Sequence, residues 1–563
     1  MMVRRIWWLI LILFLLGLLI ILRLLHLQVI DYNHLRKKSL RQTQNSLTLP
    51  ARRGNIYDRN DNLLAASSDY FSVYVIPPHM TASFNVTQLA KILELAPATV
   101  SEKISQPLQF VWLKRQISPT QKDKISSLKI KGLYFVPEHK RLYLRNNLAG
   151  QVLGFVGLDG LGLAGVEYRF EDELRGDDGF LITERDAYGH EIFSGSRVLK
   201  EPTPGLSLKL TLDETLQYLV EKELANTVIQ SKANWGCVIM SDVTTGEILS
   251  MASFPFFNPE KFSQYQNFQK NLAIQTLYEP GSTLKLATIA AVLEEGLVTP
   301  LSRYDNPYSM DIAGETIRES NQDPDHQGVK TVSDIVIHSL NIGAIKMGAM
   351  LGKEKLYSYL KKFRLGQKTG IALPGESGGI LEKPEKWTAV DFATIPFGQG
   401  IAITPLQLLG FVSSIGNDGV YMAPRIIDQI SLKTQGLSAA QWVPSQISRG
   451  ERIMSARTAW ELRKMMYAAV DHGTGVAAQI PGYSIGGKTG TAQKINPLTK
   501  HYDPNRYVAS FVGLAPIQRP RIAVVVVIDS PQTSIYGSNI AAPTFRKIVS
   551  EAMRLLTVPP DKP

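Results

Sequence analysis

Hydrophobic positions follow three different arrangements along this chain. The first is continuous: after MMVRR, the run Ile6 to Leu22 (IWWLILILFLLGLLIIL) contains no charge. As a helix it spans about 26 Å at 1.5 Å per residue, and the flanking arginines can snorkel to complete a crossing. RLLHLQVI, which follows, offers no small-residue cleavage site, so the pattern predicts an uncleaved membrane anchor over 6–25 behind a short tail, 1–5. Arg4 and Arg5 favour a cytoplasmic N-terminus, but Arg36, Lys37, Lys38 and Arg41 follow the span, so charge alone leaves the orientation open.

The second arrangement is alternation. YFSVYVI (70–76) reads as a strand, and NWGCVIMSDVTTGEILSMAS (234–253) reads as two strands joined at a Thr-Thr-Gly turn. YVASFVGLA (507–515) and RIAVVVVID (521–529) are strand-like runs near the C-terminus, before an amphipathic helix from about Thr544 to Leu556. The third arrangement is a helix apolar all round: from Ser282 to Glu295, after Pro280-Gly281 and before Gly296, apolar residues occupy every face. Strands, then helices, then strands predict an α+β fold with one antiparallel sheet drawn from distant segments. LKEPTPGLSLKLTLDETLQ (199–217) marks a junction between a mixed N-terminal domain, 26–202, and a larger one, 203–557, before a tail, 558–563.

With 563 residues, 44% hydrophobic and 20% charged, the body is ordinary globular protein of several domains. The net charge of +11 is spread along the chain without a basic, aromatic-interleaved segment, so no nucleic-acid partner is indicated. A basic surface suits an anionic membrane or cell-wall polymer equally well. The one cysteine, Cys237, excludes an internal disulfide and a cysteine zinc site; the histidines form no HExxH or close pair, so no metal is expected.

The candidate chemistry centres on PGYSIGGKTGTAQK (481–494). Gly482 to Thr489 matches the phosphate-cradling loop G-x4-G-K-[ST]. That loop needs a strand before it and a helix starting at its Lys-Thr, yet Pro481 precedes it, and Gly490, Pro497 and Pro504 follow. Gly160-x-Gly162-x-x-Gly165 likewise lacks a strand–helix setting, so no nucleotide is expected. The alternative reading takes Lys488-Thr489-Gly490-Thr491 with Ser282-x-x-Lys285 and Ser339-x-Asn341, the three motifs of active-site serine acyltransferases. Decoys exist for each: Ser126-x-x-Lys129, Ser83-x-Asn85 and Lys368-Thr369-Gly370. Context separates them. Ser282 and Lys285 share the first turn of a buried helix, where the positive helix end favours an alkoxide and a neutral amine. Ser126 and Lys129 lie in a charged, surface-type stretch, and Lys368 leads into a loop full of breakers. Lys488 is followed by two strand runs and can sit on a sheet edge beside the helix start.

The combination resembles the class B penicillin-binding proteins, over nearly the whole length. RRGNIYDRNDNLLA (52–65), GFVGLDGLGLAGVEYRFEDELRGDDG (154–179), YEPGSTLK, FGQGIAITPLQL (397–408) and GGKTGTAQK carry it, and the SLN triplet is similar to the division (septal) type. RLYLR (141–145) departs from it, lacking a proline after the tyrosine. The resemblance implies a transmembrane helix, an elongated mixed α/β pedestal, and a transpeptidase domain whose antiparallel sheet is sandwiched by helices, as in serine β-lactamases. It implies that Ser282 attacks the D-Ala-D-Ala carbonyl of a peptidoglycan stem peptide and Lys285 takes its proton. Ser339 and Asn341 would orient Lys285, shuttle a proton to the leaving D-alanine and bind the substrate amide. Lys488 and Thr489 would hold the terminal carboxylate, with Gly490 beside them in the substrate-binding strand, and the N–H groups of Ser282 and Thr491 would form the oxyanion hole. It further implies lipid-linked precursors as substrate source, β-lactams as inhibitors, no cofactor, a bacterial inner-membrane location with a periplasmic catalytic domain, and a SEDS-family glycosyltransferase and other divisome proteins as partners. A D,D-carboxypeptidase or β-lactamase-type hydrolase and a catalytically silent divisome scaffold are the alternatives. A long pedestal and anchor disfavour the hydrolase, and three intact motifs disfavour the scaffold.

Overall fold

The computed structural model describes residues 2–562 apart from 34, 36–37, 39–43, 81–83, 109, 186–190, 321–323, 433–440, 446–448, 497–498 and 500. Packing divides the chain into two compact units. One comprises residues 1–53, 69–140 and 175–205; the other comprises 54–68, 141–174 and 206–563.

The first unit begins with the helix Met2–Leu25, which continues to Ile30 as a wider π turn and buries none of its residues. Its length and hydropathy are those of a membrane span. The unit's core joins Val73 and Val75, from the strand Leu63–Val75, to Leu113 and Ile117 of the strand Val111–Ile117 and to Leu89 and Leu93 of the helix Val86–Leu93. The expected strand at 70–76 is thus the second half of a longer one. Gln44–Leu49, Gly179–Arg185 and Glu191–Lys200 form a separate three-stranded antiparallel sheet.

In the second unit, two of the sequence signatures become one packed element. Buried Arg141 donates to the Glu167 carboxylate at 2.6 Å and to the Gly54 carbonyl at 2.7 Å. Both ends of this ion pair are withdrawn from water, so removing either partner would strand a buried charge. Asp58 accepts the N–H groups of Asn60 and Asn62, both at 2.8 Å, and that of Glu214 at 3.0 Å, so it fixes its own turn and the start of a helix together. Leu144, where a proline was expected, donates its N–H to the Leu64 carbonyl at 3.0 Å, a bond that proline could not make.

The centre of this unit is a five-stranded antiparallel sheet: β1 (Trp235–Asp242), β2 (Ile248–Phe254), β3 (Gly486–Ile495), β4 (Tyr502–Ala515) and β5 (Ile522–Asp529), in the order β2-β1-β5-β4-β3. The helices around it are α1 (Glu214–Ser231), α2 (Lys285–Glu294), α3 (Asn341–Leu351), α4 (Pro405–Gly416), α5 (Ala456–Asp471) and α6 (Ala541–Leu555). Alternation along β5 explains the layers. Val525 and Val527 pack into one core with α2, α4 and α5, while Val524 and Val526 pack into another with α1 and α6. A strand covered on both faces needs an unbroken apolar run, which is why AVVVVI lacks polar alternation. The first strands of the sheet and its last three lie far apart in sequence, as the strand–helix–strand order predicted.

Candidate active site

The site is built where α2 meets the edge strand β3. Pro280 and Gly281 turn the chain, and Gly281 to Leu284 form a 3₁₀ turn before α2 starts at Lys285. The sequence predicted one continuous helix from Ser282; the tighter first turn is the difference. Gly281 sits at φ +55 and donates its N–H to the Gly398 carbonyl at 3.0 Å, which ties FGQG to the serine turn. Thr283 accompanies it, its hydroxyl donating to the Pro280 carbonyl at 2.8 Å. Ser282 is half-buried, while every residue from Lys285 to Val292 is buried.

Strand β3 carries Lys488, Thr489, Gly490 and Thr491, paired in register with Val512, Phe511, Ser510 and Ala509 of β4. A Cβ at Gly490 would lie 2.3 Å from the Ser510 hydroxyl and 3.0 Å from the Pro280 carbonyl oxygen. Only glycine lets the strand approach the serine turn this closely. Since the Lys-Thr pair lies inside a β-strand and no helix begins there, the phosphate-loop match has none of the geometry that phosphate binding needs.

The third motif comes from the turn before α3. Ser339 adopts a left-handed backbone, φ +61, which is costly for a serine and marks a conformation imposed by its surroundings. The turn presents three acceptors to the Lys285 amine: the Ser339 carbonyl at 2.6 Å, the Asn341 Oδ1 at 2.8 Å and the Ser339 hydroxyl at 3.3 Å. Glu319, at the end of a hairpin, receives the N–H groups of Asn341 at 2.7 Å and Ile342 at 2.9 Å. Sequence reasoning missed it. A lone carboxylate in IRESNQ has no local signal, because its partners are twenty-two and twenty-three residues away.

Electrostatics follow from burial. Complete withdrawal from water brings the Lys285 amine down to about 7, although the Glu319 charge works in the opposite direction. Burial, with the Lys285 charge nearby, holds Lys488 well below the usual lysine range. Lys488 is itself fully buried; its amine donates to the Thr489 carbonyl at 3.2 Å, and the Thr489 hydroxyl donates to that of Thr474 at 3.2 Å. The structure thus keeps Lys488 out of water, near enough to Lys285 for the two charges to oppose one another. An amine poised near neutrality, one turn after a serine, suits a general base for a hydroxyl.

Two of the decoys sit in other settings, and Ser83 of the third lies outside the described residues. Ser126 ends the helix Pro119–Ser126, both it and Lys129 are exposed, and Lys129 has left the helix at φ +47. Lys368 is exposed, and the Thr369 and Gly370 N–H groups hold the chain's own Glu376 carboxylate at 2.6 and 3.1 Å. Ser126→Ala is expected to leave penicillin labelling within about twofold of the unaltered protein, since exposed substitutions rarely reach beyond their own contacts. A gel with a fluorescent penicillin checks this, and loss of the band would move the nucleophile elsewhere.

Comparison with known proteins shows the family. Residues 236–550 match the penicillin binding protein transpeptidase domain, and residues 48–210 match the penicillin-binding protein dimerisation domain. The peptidoglycan D,D-transpeptidase FtsI of Escherichia coli K12 is 32% identical over 97% of this chain and 90% of its own length. The probable peptidoglycan D,D-transpeptidase PenA of Neisseria meningitidis is 32% identical over 97% of this chain and 91% of its own. Penicillin binding protein 3 of Mycobacterium tuberculosis, solved with aztreonam, superposes with a TM-score of 0.71 at 29% identity, covering 92% of this chain and 99% of that one. A serine turn, a buried lysine, an SxN turn and a KTG edge strand, carried on a sequence alike from end to end, place this chain in the class B penicillin-binding protein family.

Proposed function

We propose that this protein is a membrane-anchored peptidoglycan D,D-transpeptidase that cross-links stem peptides at the division septum through an acyl-enzyme on Ser282. The observation that carries this is Lys285: a fully buried amine, close to neutral, held by Ser339 and Asn341 three residues from the serine.

The Ser282 oxygen attacks the carbonyl carbon of the penultimate D-alanine, and Lys285 takes the hydroxyl proton. Backbone N–H groups of Ser282 and Thr491 face the oxyanion. Collapse breaks the peptide C–N bond, and the proton passes through Ser339 and Lys285 to the departing D-alanine amine. Asn341 orients Lys285 and the substrate amide. Lys488 and Thr489 receive the terminal carboxylate, and Gly490 lets their strand come close to the serine turn. An amine of a neighbouring stem then attacks the ester, forms the new amide and returns the proton to Ser282. A β-lactam enters by the same attack and stays as the acyl form; the aztreonam complex of the M. tuberculosis protein supports this.

The anchor over 6–25 leaves residues 1–5 in the cytoplasm, with a pedestal over 26–202, a transpeptidase domain over 203–557 and a tail, 558–563, on the periplasmic side of the inner membrane. That side holds the stem peptides, and it is where a SEDS-family polymerase and other divisome proteins would supply strands from lipid-linked precursors. Purified protein given a stem-peptide donor and an amine acceptor is expected to yield cross-linked product. Release of D-alanine with water as the only acceptor would make it a hydrolase, and no turnover or acylation at all would leave the scaffold.

A further inference from the structure

Glu319 is not part of any of the three motifs, yet it is the group on which the second of them rests. The hairpin Ser309–Ile312/Glu315–Arg318 delivers it, and its own N–H donates to the Tyr308 carbonyl at 2.9 Å, closing the hairpin base. The side chain is buried, 6% exposed. It accepts the first two N–H groups of α3, where Leu340 has no side-chain cap to offer, and it also accepts the Asn306 amide at 3.2 Å. The adjacent Arg318 carbonyl accepts the Asn341 side-chain amide at 3.0 Å, which leaves the Asn341 Oδ1 turned to Lys285. One carboxylate and its neighbouring peptide thus set the start of α3 and the rotamer of Asn341, directly after the strained Ser339.

We propose that Glu319 is a positioning residue for acyl transfer: its carboxylate locks the Ser339–Asn341 turn onto Lys285 and supplies the negative charge that governs when that amine is free to act as a base. The charges around it leave this influence in place. From the strand Arg303–Asn306, Asn306 and the Tyr304 phenol face Glu319; Asp334 of the helix Val332–Ile337 adds a second negative charge felt at Tyr304. On α2 the cation that feels Glu319 is Lys285, and Lys488 of β3 is the other amine coupled to it. Without Glu319, two buried amines would face each other with no anion to favour the protonated form of either, so Lys285 would shed its proton at lower pH.

This inference rests on the transpeptidase reading, and its test separates the two. The full chain in detergent is acylated with a fluorescent penicillin from about pH 5 to pH 9, and the second-order rate is followed. The unaltered protein should show a rate that rises through a midpoint near 7, where Lys285 loses its proton. Glu319→Gln should move that midpoint about one pH unit lower and lower the plateau at least about tenfold, as a displaced turn would. Glu319→Asp keeps the charge but shortens the reach, so its midpoint should stay while its plateau falls. Circular dichroism reports whether the glutamine variant folds, and if it does not, an unchanged plateau in Glu319→Asp is the result that overturns the proposal. A residue that merely braces the fold would lower the plateau in Glu319→Gln and leave the midpoint in place. An unmoved midpoint in folded Glu319→Gln, or a plateau unchanged in Glu319→Asp, overturns the proposal. Failure of the unaltered protein to acylate at all would instead overturn the transpeptidase reading.

Discussion

Ser282→Ala protein will carry no covalent penicillin and make no cross-links. Removing the nucleophile from a serine acyltransferase costs on the order of 10⁴- to 10⁶-fold, because what remains is only transition-state binding by the oxyanion donors. The loss should come without unfolding. Ser282 is half-buried, and the bonds that hold its turn, Thr283 to Pro280 and Gly281 to Gly398, do not involve its hydroxyl. A thermal midpoint within a few degrees of the unaltered protein, together with an empty fluorescent band, is the expected pair of observations. Loss of both band and fold would say nothing about chemistry, so the two are measured on the same sample.

Lys285→Met is expected to have the second-largest effect, with opposite signs for activity and for one component of stability. Acylation should fall by about 10²- to 10⁴-fold, the range of a lost general base. The stability argument follows from where the proton binds. The unfolded chain holds a proton on this lysine up to its ordinary value of 10.5, whereas the folded chain releases it at about 7. Between those two values the unfolded state binds more protons, so folded stability rises with pH through the window, and the cost of burying the amine is complete below 7. At 1.36 kcal/mol per pKa unit that cost is roughly 4 to 5 kcal/mol. Methionine removes it but leaves the Ser339 carbonyl and the Asn341 Oδ1 without a donor, at about 1 to 3 kcal/mol each. These offset one another near neutrality, so the decisive quantity is the pH dependence. Relative to the unaltered protein, the melting temperature of Lys285→Met should be more favourable at about pH 6 than at about pH 9.5. A difference that does not change with pH would mean that Lys285 is not held neutral by burial.

The side chains that come together at the candidate site were legible because each motif had context that its decoy lacked. The apolar surround of Ser282 and Lys285 implied burial, and the strand runs after Lys488 placed it on a sheet; the structure supplies both. Turn chemistry separated the phosphate loop from the strand, although the loop pattern matched more letters. What remained hidden depends on contacts between segments distant in sequence. Glu319 touches α3 only because a hairpin carries it there, and Ser339 adopts φ +61 only because that arrangement holds it. Neither a lone glutamate nor a serine before Leu-Asn announces such a role. The interleaving of the two units was also hidden: residues 54–68 and 141–174 belong with the C-terminal body through contacts such as Arg59–Glu247 and the Ala149 N–H to the Glu221 carboxylate, which no local periodicity encodes. The complete burial of Lys488 was hidden too, because it depends on strand register and on the segments packed over β3.

The most direct test of the central claim is to locate the acyl group. After reaction with a penicillin, the intact protein should gain the mass of one ring-opened molecule, and digestion should place it on the peptide bearing Ser282. An adduct on Ser126 or any other residue, or no adduct on folded protein, would contradict the assignment.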